Sequence, residues 1–274
     1  MTTTLPLNSG AHIPQIGFGT SQAADAARSV AEAVRAGYRH IDTAQMYGNE
    51  TGVGEGVRAS GVPREEVFVT TKLNNGHHDP TDVHRTFQES LDRLGFDYVD
   101  LFLIHWPLPF LNTDYVDTWK AMLQVQETGR ARSVGVSNFQ PEHLERIIAA
   151  TGVVPAVNQI EVHPYFANNE LREFSKARGI MVEAWSPLGK GTELSDPVIA
   201  ELAAKHGHAP AQVILRWHLQ RGDVVIPKSD NPERIRSNLD LSGFELTEQD
   251  MAALDALDKG EEGRRSPHPN EFGK

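Results

Sequence analysis

The chain contains no cysteine. A disulfide framework, an iron–sulfur cluster, a thiolate zinc site and a cysteine nucleophile are therefore excluded. Basic charge is also short: 26 Lys and Arg stand against 37 Asp and Glu, a formal net charge of −11. Such a balance disfavours nucleic acid or an anionic membrane as partner, and any anionic ligand must be met by a local basic site. Long apolar runs are missing. The longest, around Leu101 to Ile104, falls far short of the roughly 20 residues that cross a bilayer. Met1 to Pro6 carries no basic segment ahead of an apolar one, so no secretory signal is expected and the cytoplasm is the default location. What remains is 274 residues at 39% hydrophobic, enough for a single large α/β domain spanning residues 1–274.

One unit recurs along the chain: a helix-period segment closed by glycine, then a short β-rich run. The junctions are Gly37, Gly61, Gly95, Gly129, Gly152, Gly179 and Gly222. Glycine fits because helices commonly close on a left-handed residue. Val83, Phe87, Leu91 and Leu94 form one helical stripe; Leu144, Ile147 and Ile148 form another. Asp196-Pro197 and Asn231-Pro232 have the form of a cap followed by proline at the first helical position. The strands read as nearly continuous apolar runs, as parallel strands covered on both faces do. A first strand near Ile16 to Thr20, before a helix over Ala24 to Ala36, brings the count to eight, and the reading is a (β/α)8 barrel. Thr4–Leu7 and His12–Pro14 around Asn8-Ser9-Gly10 read as a hairpin plugging one barrel end. The helix Ala209 to Gln220 reads as an insertion, and the polar stretch after Gly260 as a surface loop. The rival, an open doubly wound sheet, announces a nucleotide site with G-x-G-x-x-G. No such match exists; Gly52-Val53-Gly54-Glu55-Gly56 has the wrong spacing and sits in a helical segment.

Polar residues gather where the runs end. Asp42 closes the second run, with Tyr47 beyond it, Lys72 the third, His105 the fourth and Ser137-Asn138 the fifth. Gln159, Glu161 and His163 follow on the sixth, Trp185-Ser186 on the seventh and Lys228-Ser229 on the eighth. In a barrel these ends share the rim that carries the active site. Each alone has an ordinary explanation: a helix cap, a solvated lysine, a satisfied core histidine. Four ionisable types on three adjacent ends are harder to explain that way. A lysine ammonium beside a tyrosine stabilises the phenolate and lowers its pKa, giving a tuned general acid. Asp42 would hold Lys72, and His105 would orient or stabilise a carbonyl oxygen. No metal-ligand spacing is present, and His77-His78 read as loop residues. The attacking species is then the hydride of an organic cofactor.

The chain resembles the aldo-keto reductases. The resemblance is carried in order by Asp42-Thr43-Ala44-Gln45-Met46-Tyr47-Gly48-Asn49-Glu50, Thr70-Thr71-Lys72-Leu73, Leu103-Ile104-His105-Trp106-Pro107 and Gly135-Val136-Ser137-Asn138-Phe139. It continues through Asn158-Gln159-Ile160-Glu161-Val162-His163-Pro164, Trp185-Ser186-Pro187-Leu188-Gly189 and Ile226-Pro227-Lys228-Ser229. Length and the ending His268-Pro269-Asn270 are most similar to bacterial 2,5-diketo-D-gluconate reductases and related actinobacterial enzymes. The resemblance implies a catalytic tetrad of Asp42, Tyr47, Lys72 and His105, with Tyr47 the general acid. It implies that Ser137, Asn138 and Gln159 hold the nicotinamide carboxamide and that Trp185 stacks on the ring. Ser186, Leu188 and Gly189 would follow the pyrophosphate, and Lys228, Ser229, Arg234 and Asn238 the adenosine end. Two cations beside a hydroxyl suit a 2′-phosphate, so NADPH is favoured over NADH. A cytoplasmic monomer reducing small aldehydes, ketones or dicarbonyls is the implied activity.

Departures from the family pattern are Ser21 and Asn74-Asn75, where aromatics are common around the substrate, and Asn231 and Ser237 near the cofactor phosphate and adenine. The first pair suggests a more open, polar mouth; the second, a looser cofactor grip. Trp106, Phe110 and Leu111 are the expected apolar pocket walls, with core packing the competing reading for the last two. A Schiff-base lyase using Lys72 and a non-catalytic cofactor-sensing subunit are the alternatives in function.

Overall fold

A computed structural model describes residues 3–274; Met1 and Thr2, on which the expectation about the leader partly rests, lie outside the described residues. The antiparallel hairpin β1 (Thr4–Pro6) and β2 (His12–Pro14) comes first, with Leu5 opposite Ile13. Eight parallel strands follow: β3 (Phe18–Gly19), β4 (His40–Asp42), β5 (Phe68–Leu73), β6 (Val99–Ile104), β7 (Ala131–Ser137), β8 (Val157–Glu161), β9 (Met181–Trp185) and β10 (Val224–Val225). They lie side by side in chain order. The sheet closes on itself: Ile16 bridges Val225 in parallel, Gly17 N–H donates to the Val225 carbonyl at 2.7 Å and Gly19 N–H to the Pro227 carbonyl at 3.1 Å. The fold is the expected (β/α)8 barrel.

Outside run α1 (Ala26–Ala36), α2 (Glu50–Ser60), α3 (Pro80–Leu94), α4 (Tyr115–Glu127), α5 (Pro141–Thr151), α6 (Asn169–Ala177), α7 (Pro197–His206), α8 (Pro210–Gln220), α9 (Pro232–Leu239) and α10 (Glu248–Asp255). The expected extra helix is α8, placed between α7 and β10. All seven junction glycines have positive φ, from +67° at Gly95 to +117° at Gly37. Part of the acid excess goes to helix starts: Asp25, Asp79, Asp114 and Asp196 each accept a backbone N–H of the first turn, as Asn231 does for α9.

Strand alternation sorts the core into two layers. Ile41, Val69, Phe102, Val136, Ile160 and Val182 face the helices and belong to the larger apolar cluster. Phe68, Leu101, Leu103, Val157 and Val224 form the second cluster with Leu7 and Ile13 of the hairpin, which therefore does plug the barrel where the strands begin. Higher up, the inward positions turn polar: His40 and Asp42, Thr70 and Lys72, Gln159 and Glu183 are all buried. The strands are thus not apolar throughout, as the runs suggested.

Two expectations are corrected. β10 is only Val224–Val225 and does not reach Lys228, because its register against β9 stops at Ala184. The tail after Gly260 is not a free surface loop. Gly263 packs so tightly that a Cβ there would sit 1.7 Å from the Tyr165 carbonyl oxygen. Beyond it, buried Glu161 accepts from Arg265 N–H at 2.6 Å, Ser266 N–H at 3.1 Å and the Ser266 hydroxyl.

Candidate active site

Asp42, Lys72 and His105 stand at or just past the ends of β4, β5 and β6, three neighbouring strands. Tyr47 follows from the single turn after β4. Lys72, fully buried, donates to both Asp42 oxygens at 2.6 and 2.8 Å and to the Thr43 carbonyl at 3.0 Å. Its Nζ lies 3.5 Å from the Tyr47 hydroxyl. The Tyr47 ring meets His105 edge-on, with centroids 5.8 Å apart at 77°. The four side chains thus converge on one mouth of the barrel.

Their proton affinities are set by opposed forces. Burial pulls Lys72 down, but the charge of Asp42 and then Tyr47 outweigh it, and the ammonium is held above its ordinary value. His105 is pushed down to about 3, by burial first and Lys72 second; at neutral pH its ring is uncharged and can donate one hydrogen bond. Tyr47 corrects the sequence reading. Burial raises the phenol's pKa, and Lys72, though it lowers it, does not win; Asp42 raises it again. The phenol is less acidic than usual rather than more. The reason is that the same barrel wall that brings Lys72 close also strips water from the phenolate.

Next to the tetrad, three amide and hydroxyl groups interlock. The Ser137 hydroxyl donates to the Gln159 carbonyl at 2.7 Å. Asn138, at φ +63°, donates through Nδ2 to the His105 carbonyl at 2.9 Å and accepts at Oδ1 from the Trp185 indole at 2.9 Å. Gln159 Nε2 donates to Asp42 and to Glu183, each at 2.8 Å. Further along the rim, Ser186 holds φ +48° and Gly189 φ +53°. A Cβ on Gly189 would lie 2.3 Å from Glu193 Oε1, so the Glu193 side chain packs directly on the backbone after β9. Leu188, on this stretch, is half-buried.

Past the end of β10 stand Lys228, buried Ser229, Arg234 and buried Asn238. Lys228 is salt-bridged to Asp230 and donates to the Gln22 carbonyl at 3.0 Å. Arg234 is exposed, and its Nε donates to the Ser229 hydroxyl at 3.2 Å. Trp106 is 8% exposed because Phe272 of the tail stacks on it at 4.2 Å. Phe110 and Leu111 are 48% and 42% exposed; the core-packing reading fails for both.

The sequence reading missed Glu183, which hydrogen-bonds Gln159, and His40 beside it, both buried in the barrel, and Phe272. A charged residue inside a short β-rich run was the available signal for the first two; nothing marked Phe272. A cleft of about 1050 Å³ lies at the opposite end among Thr4, His12, Arg39, Glu65 and Arg132. It holds none of these groups, so chemistry rather than size locates the site.

These groups fit a nicotinamide dinucleotide. Acceptors beside the tetrad suit a carboxamide NH2, the backbone after β9 suits a close-lying pyrophosphate, and Lys228, Ser229 and Arg234 suit a phosphate. Residues 9–259 match the family model described as the aldo/keto reductase family. An aldo-keto reductase of Mycolicibacterium smegmatis is 52% identical over 274 residues, covering 99% of this chain and 98% of the other. Morphine 6-dehydrogenase of Pseudomonas putida is 49% identical over 93% of this chain and 90% of its own. A crystal structure of a Gox0644 mutant in complex with NADPH superposes with a TM-score of 0.94 at 46% identity, covering 99% and 98% of the two chains. The chain belongs to the aldo/keto reductase family.

Proposed function

We propose that this enzyme reduces small aldehydes, ketones or dicarbonyls to alcohols, with Tyr47 as the general acid. The observation that carries the reading is the convergence of Tyr47, Lys72, Asp42 and His105 on one mouth of the barrel. NADPH, when bound, supplies the hydride. His105, uncharged at neutral pH, donates a hydrogen bond to the substrate oxygen and fixes it beside the phenol. Tyr47 stays protonated until negative charge develops on that oxygen, then passes its proton to it. Lys72 steadies the phenolate left behind, and Asp42 keeps Lys72 in place. Ser137, Asn138 and Gln159 take the carboxamide, and Trp185 covers the ring. Ser186, Leu188 and Gly189 line the pyrophosphate, and Lys228, Ser229, Arg234 and Asn238 take the 2′-phosphate end. Exposed Phe110 and Leu111, with Trp106 beneath Phe272, flank an open mouth. Ser21, Asn74 and Asn75 add polar groups to it. The same reading takes residues 1–274 as one domain working as a cytoplasmic monomer without nucleic acid.

The Schiff-base alternative is disfavoured. Such a lysine needs a depressed pKa, whereas Lys72 is held up and spends its hydrogens on Asp42 and Thr43. The test is Tyr47→Phe. Turnover on a carbonyl panel is expected to fall by at least about 10²-fold, while NADPH fluorescence still responds to binding. Undiminished reduction would refute the role of Tyr47. Failure of the wild type to reduce any carbonyl would refute the reaction.

A further inference from the structure

Beneath the rim the barrel holds a row of polar side chains that the proposed reaction leaves unexplained. Glu183 on β9 and His40 on β4 are both fully buried. Glu183 Oε2 accepts from Gln159 Nε2 at 2.8 Å, and Oε1 lies 3.4 Å from His40 Nε2. His40 Nε2 is also 3.2 Å from the Thr70 hydroxyl. The other hydrogen of Gln159 Nε2 goes to Asp42, at 2.8 Å. Both donors of this amide are thus spent on carboxyl groups, and Oε1 has no side-chain partner among the described residues. An amide is two-faced, with two donors and one acceptor oxygen, so its orientation decides what it can offer a ligand.

We propose that Glu183 is a positioning residue of the cofactor site: together with Asp42 it locks the Gln159 amide so that only its carbonyl oxygen is offered at the rim. The proposal rests on the reading of Gln159 as a carboxamide contact. A locked acceptor selects the NH2 of the nicotinamide carboxamide and so fixes which way that group is turned. Without Glu183 one amide hydrogen would be buried unpaired, and rotating the amide would become competitive.

The charge balance fits this role. Glu183 is faced by His40 and Asp42 of β4, Lys72 of β5 and uncharged Gln159 of β8; Val224 is its register partner on β10. Asp42 and Glu183 therefore share one ammonium. Burial, with the charge of Asp42 second, raises the Glu183 carboxyl to about 8. His40 is driven down to about 3, chiefly by burial, so its ring is neutral. At neutral pH Glu183 is an acid whose Oε2 accepts from Gln159, while Oε1, 3.4 Å from His40 Nε2, makes no hydrogen bond. As pH rises through about 8 it becomes an anion. The oxidised nicotinamide is a cation and the reduced one is not, so the new charge favours NADP+ over NADPH.

The test is titration of the purified enzyme with NADPH, NADP+ and 2′-phospho-ADP-ribose, which lacks the nicotinamide. Glu183→Leu is expected to weaken NADPH binding about tenfold and to leave 2′-phospho-ADP-ribose unchanged. Glu183→Gln, which resembles the protonated acid, is expected to hold NADPH within about twofold at pH 7. In the wild type the NADP+ to NADPH affinity ratio should rise about tenfold as pH passes through 8, and in Glu183→Gln it should stay flat. Equal weakening of NADPH and 2′-phospho-ADP-ribose, or a Glu183→Gln ratio that follows the wild type, would overturn the role of Glu183. A wild type that binds 2′-phospho-ADP-ribose as tightly as NADPH would overturn the reading of Gln159 as a carboxamide contact instead.

Discussion

Lys72 is the residue on which the rim is assembled. A buried ammonium is tolerated only when paired and hydrogen-bonded, and Asp42 and the Thr43 carbonyl meet that condition at 3.0 Å or less. The cost of the arrangement falls on Tyr47, whose phenol loses more to desolvation than it gains from the neighbouring charge. An acid that keeps its proton at rest is still able to protonate an alkoxide, which is far more basic. Lys72→Met should therefore do two things at once. It leaves Asp42 buried without its counter-ion, which is expected to lower unfolding free energy by about 3–5 kcal/mol. It also removes the charge that supports the departing proton, and turnover should fall by about 10²- to 10⁴-fold. Chemical denaturation and single-turnover kinetics would check the two parts separately; unchanged stability would mean that the ion pair is not what holds Asp42.

At the scale of elements, the tail is tied to the barrel by the carboxylate of Glu161 at the end of β8. Burial acts to raise its pKa, but hydrogen bonds from His163, Ser266 and the Arg265 N–H prevail and depress it. A depressed carboxyl stabilises the clasp fully above its unfolded value, about 4.3, and that contribution is lost as pH falls through the folded value. His163 lies between Glu161 and Glu193, and although burial opposes protonation, the two carboxylates raise its pKa. Its contribution is full below the unfolded value of about 6.5 and is lost as pH rises through the folded one. The tail should be held most tightly between these limits. Limited proteolysis should cut it fastest outside them, and Ser266→Ala should lower protection by roughly 1–2 kcal/mol. A cleavage rate independent of pH would sink this account. Because Phe272 rides on the tail over Trp106, the clasp also shapes the mouth.

The whole molecule depends on a barrel filled differently at its two ends. The hairpin seals the apolar end: Ile13 is fully buried against the cluster that contains Leu101, Leu103, Val157 and Val224. Ile13→Ala is expected to cost about 2–5 kcal/mol, readable as a lowered midpoint in urea with carbonyl reduction intact below the transition, since the tetrad is at the other mouth. Five buried histidines lowered by burial contribute to the acid limit, His143 and His218 among them. His40 and His105 are lowered to about 3 and His78 to about 4, each chiefly by burial. Such groups contribute stability above their unfolded value of about 6.5, and it is lost as pH falls through the folded values, because only the unfolded chain takes up the protons. Stability measured by denaturant should decline steadily from about pH 6.5 towards pH 4; a flat profile would show that these rings are not neutral in the folded protein.

Local chemistry determined much of this in the sequence itself. Glycine alone adopts φ +117° cheaply, so Gly37 ended a helix wherever the chain went. Asp196-Pro197 and Asn231-Pro232 started helices by the same kind of local rule. The repeat of such punctuation, and the residues that fall at strand ends, follow from neighbours a few positions apart. Tertiary structure decided what depends on distance through space. It placed Glu183 against Gln159, 24 positions away, and Ser266 on Glu161, 105 positions away. It brought Lys228 onto the Gln22 carbonyl, 206 positions away. It also reversed the direction of the Tyr47 shift, because desolvation measures how much water the assembled barrel removes, and no pattern of neighbours along the chain encodes that.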